Sequence, residues 1–422
     1  MSNLGDVLRQ VVCIPDNIPD DWSFHKLTKV CSPKQWRTVS SSEMTETGYP
    51  VFGANGFVGF YPEYNHADEA IAITCRGNTC GTINRIPPKT YITGNSMALD
   101  NVQSNVISQN YLYYALKYRG VGDSISGSAQ PQITGAGLRA IEFPAPPLPE
   151  QQKIAAILSS VDDVIEKTRT QIDKLKDLKT GMMQELLTKG IGHTEFKDSP
   201  VGRIPAAWDT YSAKELLSRK ILLGLQDGNH GSQYPRSSEF VKHGVPYIAA
   251  SHISEFGEID FSQCPHLSQD HANRLRIRPA QSGDVILTHN ATVGRTAIIP
   301  DDKHEVIAST STTYYRTDPT KLLNRYLVTY FQSTAFVSQL QAIMGQTTRN
   351  QVPITAQREL QIVLPPMYEQ VAIATAIESV TIRIKMLRSK FDHLMLAKKA
   401  LMQDLLTGKV RVNVDQKESA VA

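Results

Sequence analysis

An internal repeat constrains the fold of this chain more than any other feature of its 422-residue sequence. A segment that begins at Glu150 and a segment that begins at Glu369 align without a gap over 39 residues, with 16 identical positions. Both copies begin with Glu-Gln, and both end with Met-Gln, an acidic residue and Leu-Leu-Thr. A duplication of this length predicts two copies of one structural element.

Each copy is predicted to be one long helix, because its apolar residues recur at alternate steps of four and three. That 3.5-residue period is typical of a coiled-coil seam, and each helix would be about 60 Å long. Prolines at 144, 146, 147 and 149, and at 365 and 366, mark where the helices begin. The seam residues are Ile154, Leu158, Val161, Ile165, Ile172, Leu175, Met182 and Leu186 in the first copy, and Ile373, Ile377, Val380, Ile384, Leu387, Phe391, Leu394, Leu401 and Leu405 in the second.

The same pattern leaves two arrangements of the helices open. They can pack into the core of a domain, or they can pair with each other as a rigid rod. A 3.5-residue seam favours the rod, since one such seam accommodates only one neighbour. Both copies place a lysine at the same seam position, Lys179 and Lys398, so the seam weakens or changes partner there.

Two large segments, the first head (residues 1–148) and the second head (residues 191–366), precede the helices. The heads contain related phrases, Ile18–Trp22 and Ile204–Trp208, and otherwise diverge. Both are rich in short β-type runs between Gly, Asn and Pro turns, such as Ala70–Thr74 and Asp284–Thr288, with occasional helical stretches such as Gln109–Arg119. The predicted class is therefore α+β.

Composition restricts the function without assigning it. The formal net charge is only +3, from 44 basic and 41 acidic residues, whereas non-specific nucleic-acid binders are usually much more basic. The five cysteines are sparse and odd in number, which fits a reducing cytoplasm. We find no secretory signal and no apolar run long enough to span a membrane, so we expect a cytoplasmic protein.

Catalytic motifs are missing from the sequence. It has no Gly-x4-Gly-Lys-Ser/Thr phosphate loop, no Gly-x-Gly-x-x-Gly dinucleotide motif, and no Asn/Asp-Pro-Pro-aromatic tetrapeptide of the kind that amino-methyltransferases use. Cys75 and Cys80 are loosely spaced and have no second Cys/His pair, which disfavours zinc. Six histidines crowd the second head without metal-ligand spacing, and we interpret them as solvated or facing DNA: His230, His243, His252, His266, His271 and His289.

Several loops contain the Arg, Lys, Asn, Gln, Ser and Thr side chains that read base edges or contact phosphates. Gln130 and Gln351 are assigned to equivalent places, three residues before an Ile-Thr pair in each head. The candidate DNA-binding residues are Lys34, Arg37, Asn55, Arg76, Asn78, Thr79, Ser128, Gln130 and Gln132 in the first head, and His230, Gln233, Asn290, Thr292, Arg295, Thr348, Arg349, Asn350 and Gln351 in the second.

The chain resembles, over essentially its full length, the specificity (S) subunit of Type I restriction-modification systems. Pro-Pro-x-x-Glu-Gln leading into a long helix occurs twice, at Pro146–Gln151 and Pro365–Gln370. The other phrases similar to target-recognition-domain motifs are Pro50–Gly56, Ile73–Gly81, Ile92–Ser96, Asp227–Gly231, Gly244–Ile248, Ser282–Thr288 and Gly294–Ala297.

The resemblance implies two α/β target recognition domains (1–148 and 191–366), separated by helical spacers (149–190 and 367–408) that form an antiparallel coiled coil with pseudo-two-fold symmetry, and a tail (409–422). It implies a non-catalytic subunit that reads a bipartite site in double-stranded DNA and docks two copies of a modification subunit. S-adenosylmethionine would be bound by that methyltransferase, and ATP and Mg would be bound by a motor-nuclease subunit where one joins; the chain itself would carry no cofactor and no metal.

Two other functions remain open at this stage. The chain could be a partner-free, sequence-specific DNA-binding or regulatory protein. Apolar residues off the seam of the second helix argue against this, because they favour a further helix pair: Ile382, Met386, Met395 and Ala397. The other alternative is an enzyme with an unrecognised active site, for which the histidine-rich second head is the only indication.

Overall fold

The computed structural model describes residues 17–54, 56–127, 130–303, 305–345 and 350–414. The chain divides into two compact units, residues 1–169 with 390–422 (unit 1) and residues 170–389 (unit 2). Both boundaries fall within the long helices, so each unit combines one head with parts of both repeat copies.

The two long helices are confirmed, at Leu148–Thr188 and Met367–Leu406. They begin directly after Pro147 and Pro366, because proline fits the first turn of a helix but not its interior. Every predicted seam residue is buried or half-buried, and so are the two seam lysines. Within the described residues, no helix is both long and apolar enough to cross a bilayer.

Unit 1 contains a four-stranded antiparallel sheet, a three-stranded sheet and two strand pairs. In spatial order the four strands are Ser32–Gln35, Ser96–Asp100, Ala70–Thr74 and Ile83–Ile86, and the three are Gly56–Tyr61, Tyr49–Gly53 and Tyr91–Ile92. The pairs are Ser23–Lys26 with Glu142–Ala145, and Ile125–Ser126 with Gln132–Ile133. The remaining α-helices among the described residues of this unit are Leu27–Val30 and Gln109–Arg119.

Unit 2 contains a four-stranded antiparallel sheet, a five-stranded sheet and two strand pairs. The four strands are Leu222–Asp227, Thr312–Thr317, Val285–Thr288 and Thr296–Ile298, and the five are Phe240–Val241, His266–Leu267, Val245–Ile248, Glu305–Ala308 and Ala280–Gln281. The pairs are Phe196–Ser199 with Gly202–Pro205, and Asp209–Ser212 with Gln361–Leu364. In the part of unit 2 that the structure describes, the remaining α-helices are Ala213–Ser218, Gln269–Arg274, Asn324–Phe331, Thr334–Met344 and Ile354–Gln357.

The heads share a topology that their diverged sequences conceal. In each, the chain after the buried tryptophan (Trp22 or Trp208) forms a strand that pairs with the last strand before a long helix. A short helix then leads into the four-stranded sheet, in which the strands that come first, fourth, second and third in sequence lie side by side in both heads. The duplication predicted for the helices therefore extends to the heads, and the class is α+β as predicted.

The glutamine of the repeated Glu-Gln pair hydrogen-bonds each long helix to the head that precedes it. Gln151 accepts a hydrogen bond from the Ser108 amide at 2.8 Å and donates to two backbone carbonyls, and Gln370 does the same from the Leu323 amide at 2.9 Å. Both glutamines are at most 1% exposed. Because a buried amide must satisfy its donors and its acceptor, this network explains the glutamine that both copies share at their start.

Each unit also shows the two helices side by side and antiparallel. In unit 1, Lys398 near the end of the second helix forms an ion pair with Asp162 in the first half of the first helix. In unit 2, Ile191, just beyond the end of the first helix, donates its amide to Glu369 at the start of the second helix, at 2.7 Å.

Candidate nucleic-acid interface

Three polar loops of the first head converge on one place. The carbonyl of Ala54, in the hairpin turn, accepts hydrogen bonds from the Thr74 and Thr79 hydroxyls at 3.0 and 3.1 Å. Arg76 forms an isolated antiparallel bridge with Gln132. The structure thus gathers three segments that are far apart in sequence, and each of them contributes predicted DNA-binding residues.

The second head repeats this arrangement. Asn290 forms an isolated bridge with Gln351, and the Val352 amide donates to the His289 carbonyl at 2.8 Å. The loop at 227–233 reaches the same place because the Gly228 amide donates to the Thr312 carbonyl. The adjacent Ser311 carbonyl accepts a hydrogen bond from the His289 amide. The loops at 227–233, 289–295 and 350–351 therefore come together.

Gly228 shows how closely these loops pack. A Cβ atom at Gly228 would lie 2.1 Å from the Ser309 carbonyl oxygen and 2.2 Å from the Ala308 carbonyl oxygen. Only glycine permits this approach of two backbones.

The predicted equivalence of Gln130 with Gln351 is wrong. The residue that bridges the first head's loop is Gln132, and the following Ile133 amide donates to the Cys75 carbonyl at 3.0 Å, as Val352 does in the second head. The two Ile-Thr pairs are not equivalent positions, since Ile133 directly follows Gln132, whereas Val352 and Pro353 separate Gln351 from Ile354.

The candidates differ in accessibility. Asn55, Ser128, Thr348 and Arg349 lie outside the described residues. The exposed candidates are Lys34, Arg37, Arg76, Asn78, Gln130, Gln132, Gln233, Thr292 and Asn350. The half-buried candidates are Thr79, Asn290, Arg295 and Gln351.

The prediction that His230 binds DNA is wrong, because the residue is 1% exposed and its ring is not at the surface. Its Nε2 lies 3.0 Å from the Ala308 carbonyl, and burial lowers the pKa of the ring. His289 is also buried, with Nδ1 2.8 Å from the Thr313 hydroxyl. Neither histidine ring is exposed to solvent or available to DNA, and both rings pack under the loops.

Two of the predicted arginines are already engaged within the protein. Arg37 forms an ion pair with Glu43, and the Ser40 amide and hydroxyl together with Arg37 lower the pKa of that carboxyl to about 2. Arg295 donates through Nη1 to the Ile253 carbonyl at 2.7 Å. Lys34, by contrast, is exposed and places its Nζ 3.6 Å from the centroid of the Trp36 ring, a cation–π contact.

Sequence reasoning missed two features of these loops. Phe57, on the hairpin beside Ala54, is 60% exposed, which is unusual for an aromatic side chain. Ala291 has φ +62°, a conformation that a non-glycine residue rarely adopts and that often marks functional loops. The Gly-rich hairpin sequence around Phe57 was a usable signal, whereas nothing local indicates the conformation of Ala291.

Cys75 and Cys80 both lie in the unit 1 core. Burial raises the pKa of the Cys75 thiol to about 12, and it raises the pKa of Cys80 as well. A zinc ligand must be a thiolate, so this environment disfavours metal binding at the pair. Among the described residues, no cluster of three or more His, Cys, Asp or Glu side chains is arranged to hold a metal ion.

Two heads of one topology, each attached to a long helix and each gathering polar loops, define a repeat-built recognition protein. The family model described as the Type I restriction modification DNA specificity domain matches residues 19–177 and 230–392. The chain belongs to this family of specificity subunits, and it carries the DNA specificity domain twice.

Individual relatives agree with this assignment. The chain is 28% identical to the Type I restriction enzyme MjaVIII specificity subunit of Methanocaldococcus jannaschii, covering 76% of this chain and 75% of the relative. It is 28% identical to the putative MjaX specificity subunit of the same organism, covering 94% and 95%. The crystal structure of the S subunit from M. genitalium has the same fold, with a TM-score of 0.64 and 13% identity over 93% of this chain and 99% of that one.

Proposed function

We propose that this chain is the non-catalytic subunit that gives a Type I restriction-modification complex its DNA sequence, reading a bipartite site with one half per head. The observation that carries the proposal is the convergence of three polar loops in each head, bridged by Arg76–Gln132 in one and Asn290–Gln351 in the other. Side chains with paired donors and acceptors on rigid loops are what base-edge recognition requires.

We further propose that the long helices set the gap between the half-sites and dock two copies of a methyltransferase subunit. The second helix carries exposed apolar side chains off its seam, which supports a docking role: Tyr368 is 71% exposed, and Ile382, Met386 and Leu396 are each more than half exposed. Large apolar side chains left exposed along one helix are typical of an interaction surface.

In this proposal the chain binds no cofactor. S-adenosylmethionine belongs to the methyltransferase subunit, and ATP and Mg belong to a motor-nuclease subunit where one joins. The chain contributes affinity, sequence choice and geometry, and linking two readers makes the second half-site contact intramolecular, which raises specificity without new contacts.

Genome-wide adenine methylation tests the proposal directly. A host that expresses this chain with its neighbouring methyltransferase is compared with a host that expresses the methyltransferase alone. We expect one bipartite motif that appears only with this chain. If methylation is unchanged although the complex is stable, the proposal fails in favour of a degenerate subunit or a partner-free DNA binder.

A matched pair of variants tests the assignment of one half-site to each head. Gln132→Ala and Gln351→Ala alter structurally equivalent positions, and we expect each to relax the sequence of one half-site, a different half for each variant. Each base-edge contact is worth about 1–3 kcal/mol of discrimination. Equal loss of binding on all DNA sequences would instead identify a backbone contact.

Lengthening the helices tests their proposed role in spacing. One heptad inserted after Asp177 and another after Leu396 keeps the 3.5-residue seam, since a heptad is two of its periods. We expect the methylated motif to keep both half-sequences and to widen its gap. A change in the half-sequences would contradict the proposal that the helices act only as a spacer.

A further inference from the structure

The two units differ at the same place beside the paired helices. In unit 1, the seam lysine Lys398 forms an ion pair with Asp162, and the Tyr114 hydroxyl donates to the same carboxylate at 2.8 Å. A cation, an anion and a phenol ring therefore fill this position.

In unit 2, the repeat keeps only the lysine. The 219-residue offset places Lys179 at the position of Lys398, and it places Thr381 at the position of Asp162. Thr329 occupies the position of Tyr114 in the helix Asn324–Phe331.

The tyrosine equivalence rests on bonds at the start of each helix. Tyr111 and Tyr326 both donate their hydroxyls to the carbonyls of matching residues, Pro144 and Val363, at 2.9 and 3.0 Å. Thr329 is three residues after Tyr326, as Tyr114 is after Tyr111. Unit 2 therefore has neither the carboxylate nor the ring at these positions.

A cavity of about 210 Å³ lies at this place in unit 2, lined by Lys179, Val328, Thr329, Thr381, Lys385 and other residues. The Lys179 ammonium donates to the Gln332 side-chain oxygen at 3.2 Å, and within the described part of the chain it forms no ion pair. Both threonine hydroxyls donate to carbonyls of their own helices. They therefore do not replace the missing carboxylate.

The charges around the cavity leave Lys179 without a counterion among the residues that the structure describes. Lys385 stands where the first copy has Glu166, so a further cation has replaced an anion. The nearby carboxylates are used by other cations, since Glu258 pairs with Lys385 and Glu378 pairs with Arg325.

The surroundings of Lys179 disfavour an ammonium charge that has no counterion. Burial, and then the neighbouring Lys385, lower the pKa of the Lys179 amine. An anion placed in the cavity would favour the charged form of Lys179 and so oppose this lowering of its pKa.

We propose that this cavity binds a small aromatic carboxylate, whose carboxylate takes the place of the Asp162 group against Lys179 and whose ring takes the place of Tyr114. The half-apolar lining, with Val328, Phe256 and Ile377, suits the ring, and the two lysines suit the acid. The volume accommodates a ligand of several heavy atoms, since one water occupies only about 30 Å³.

The test uses the full chain and isothermal titration with 4-hydroxybenzoate as the probe. 4-Hydroxybenzamide has the same shape without the charge, and inorganic phosphate has the charge without the ring. We expect one saturable site for the acid, with at least tenfold weaker binding of the amide and of phosphate.

Variants locate the site on this cavity. Thr381→Asp supplies the unit 1 carboxylate in cis, and Thr329→Tyr fills the space of the ring, so each should abolish probe binding. Ser379→Asp is the matched control, because Ser379 is exposed on the same helix outside the cavity and should leave binding unchanged. Circular dichroism and the melting temperature establish that each variant is folded.

Several outcomes overturn the proposal. No saturable binding at millimolar acid removes the ligand altogether, equal binding of the amide removes the carboxylate requirement, and equal binding of phosphate removes the requirement for a ring. Retained binding in both folded cavity variants moves the site elsewhere. If no probe binds while Thr381→Asp weakens association with the methyltransferase subunit, an acidic side chain of that partner is the occupant and the small-ligand proposal is wrong.

Discussion

The buried carboxylate of Glu369 offers a sharp test of how a head is anchored to its helix. Glu369 is 0% exposed and accepts hydrogen bonds from the Ile191 amide at 2.7 Å and from Trp208 Nε1 at 2.8 Å. The His193 ring lies 3.0 Å from both carboxylate oxygens. The head, the segment after the first helix and the start of the second helix all meet at this single group.

Glu369→Gln keeps the size of the side chain and replaces one acceptor oxygen with a donor. At least one of the two N–H donors then faces an NH₂ group and loses its acceptor. A buried donor left unsatisfied costs about 1–3 kcal/mol, and bonds to a charged group are at the upper end. We therefore expect the free energy of unfolding of unit 2 to fall by about 2–3 kcal/mol.

Urea denaturation followed by Trp208 fluorescence measures this loss. Trp208 is the only tryptophan of unit 2, so the background variant replaces Trp22 and Trp36 by phenylalanine. Glu378→Gln, on the same helix, is the control: its carboxylate is 44% exposed and its ion pair with Arg325 is worth at most about 1 kcal/mol. If the two variants lose the same stability, the anchoring role of Glu369 is refuted.

Three further outcomes follow from unit 2. Burial lowers the pKa of His230 below its ordinary value of 6.5, so the unfolded state binds more protons just below that pH and the unfolding free energy should fall as the pH drops through 6.5. In His230→Gln the fall should be less steep, and an equal slope of urea-derived stability against pH in the variant and the unmodified chain would contradict this. Gly228→Ala forces its Cβ against the Ser309 carbonyl and should cost about 1–3 kcal/mol, and it should weaken binding at one half-site only, as measured on DNA with either half scrambled. Asp284→Asn breaks a bidentate ion pair with Arg316 at a carboxylate that is 3% exposed, and the free energy of unfolding should fall by about 3 kcal/mol. The melting temperature measures this loss, and an unchanged value would mean that the pair is dispensable.

Local sequence was sufficient for much of the fold. The helix predicted at Gln109–Arg119 has those bounds in the structure, and the run Ala70–Thr74 is a strand over those five residues. Both long helices begin where the prolines placed them. These elements were predictable because a helix or strand is specified by the period of its own residues and by the residues that end it.

The candidate site was only partly predictable. The polar composition of the loops at 76–79 and 289–295 was visible in the sequence, but not that each meets a distant segment through Gln132 or Gln351. Gln130 was paired with Gln351 because each lies three residues before an Ile-Thr pair, but the two loops differ in length before that pair. Arg37 looked available, whereas Glu43 occupies its guanidinium.

The sequence by itself determined the duplication, the two long helices with their seam, the α+β class of the heads and the family resemblance, because all of these are encoded in the order and period of neighbouring residues. Only the tertiary structure decided which loops meet, that His230 lies beneath the surface, and that Lys398 has a carboxylate partner where Lys179 contacts an amide oxygen. Burial and pairing are set by contacts between residues tens to hundreds of positions apart. A repeat in sequence therefore shows that two places correspond, but only packing shows that one is filled and the other contains a cavity.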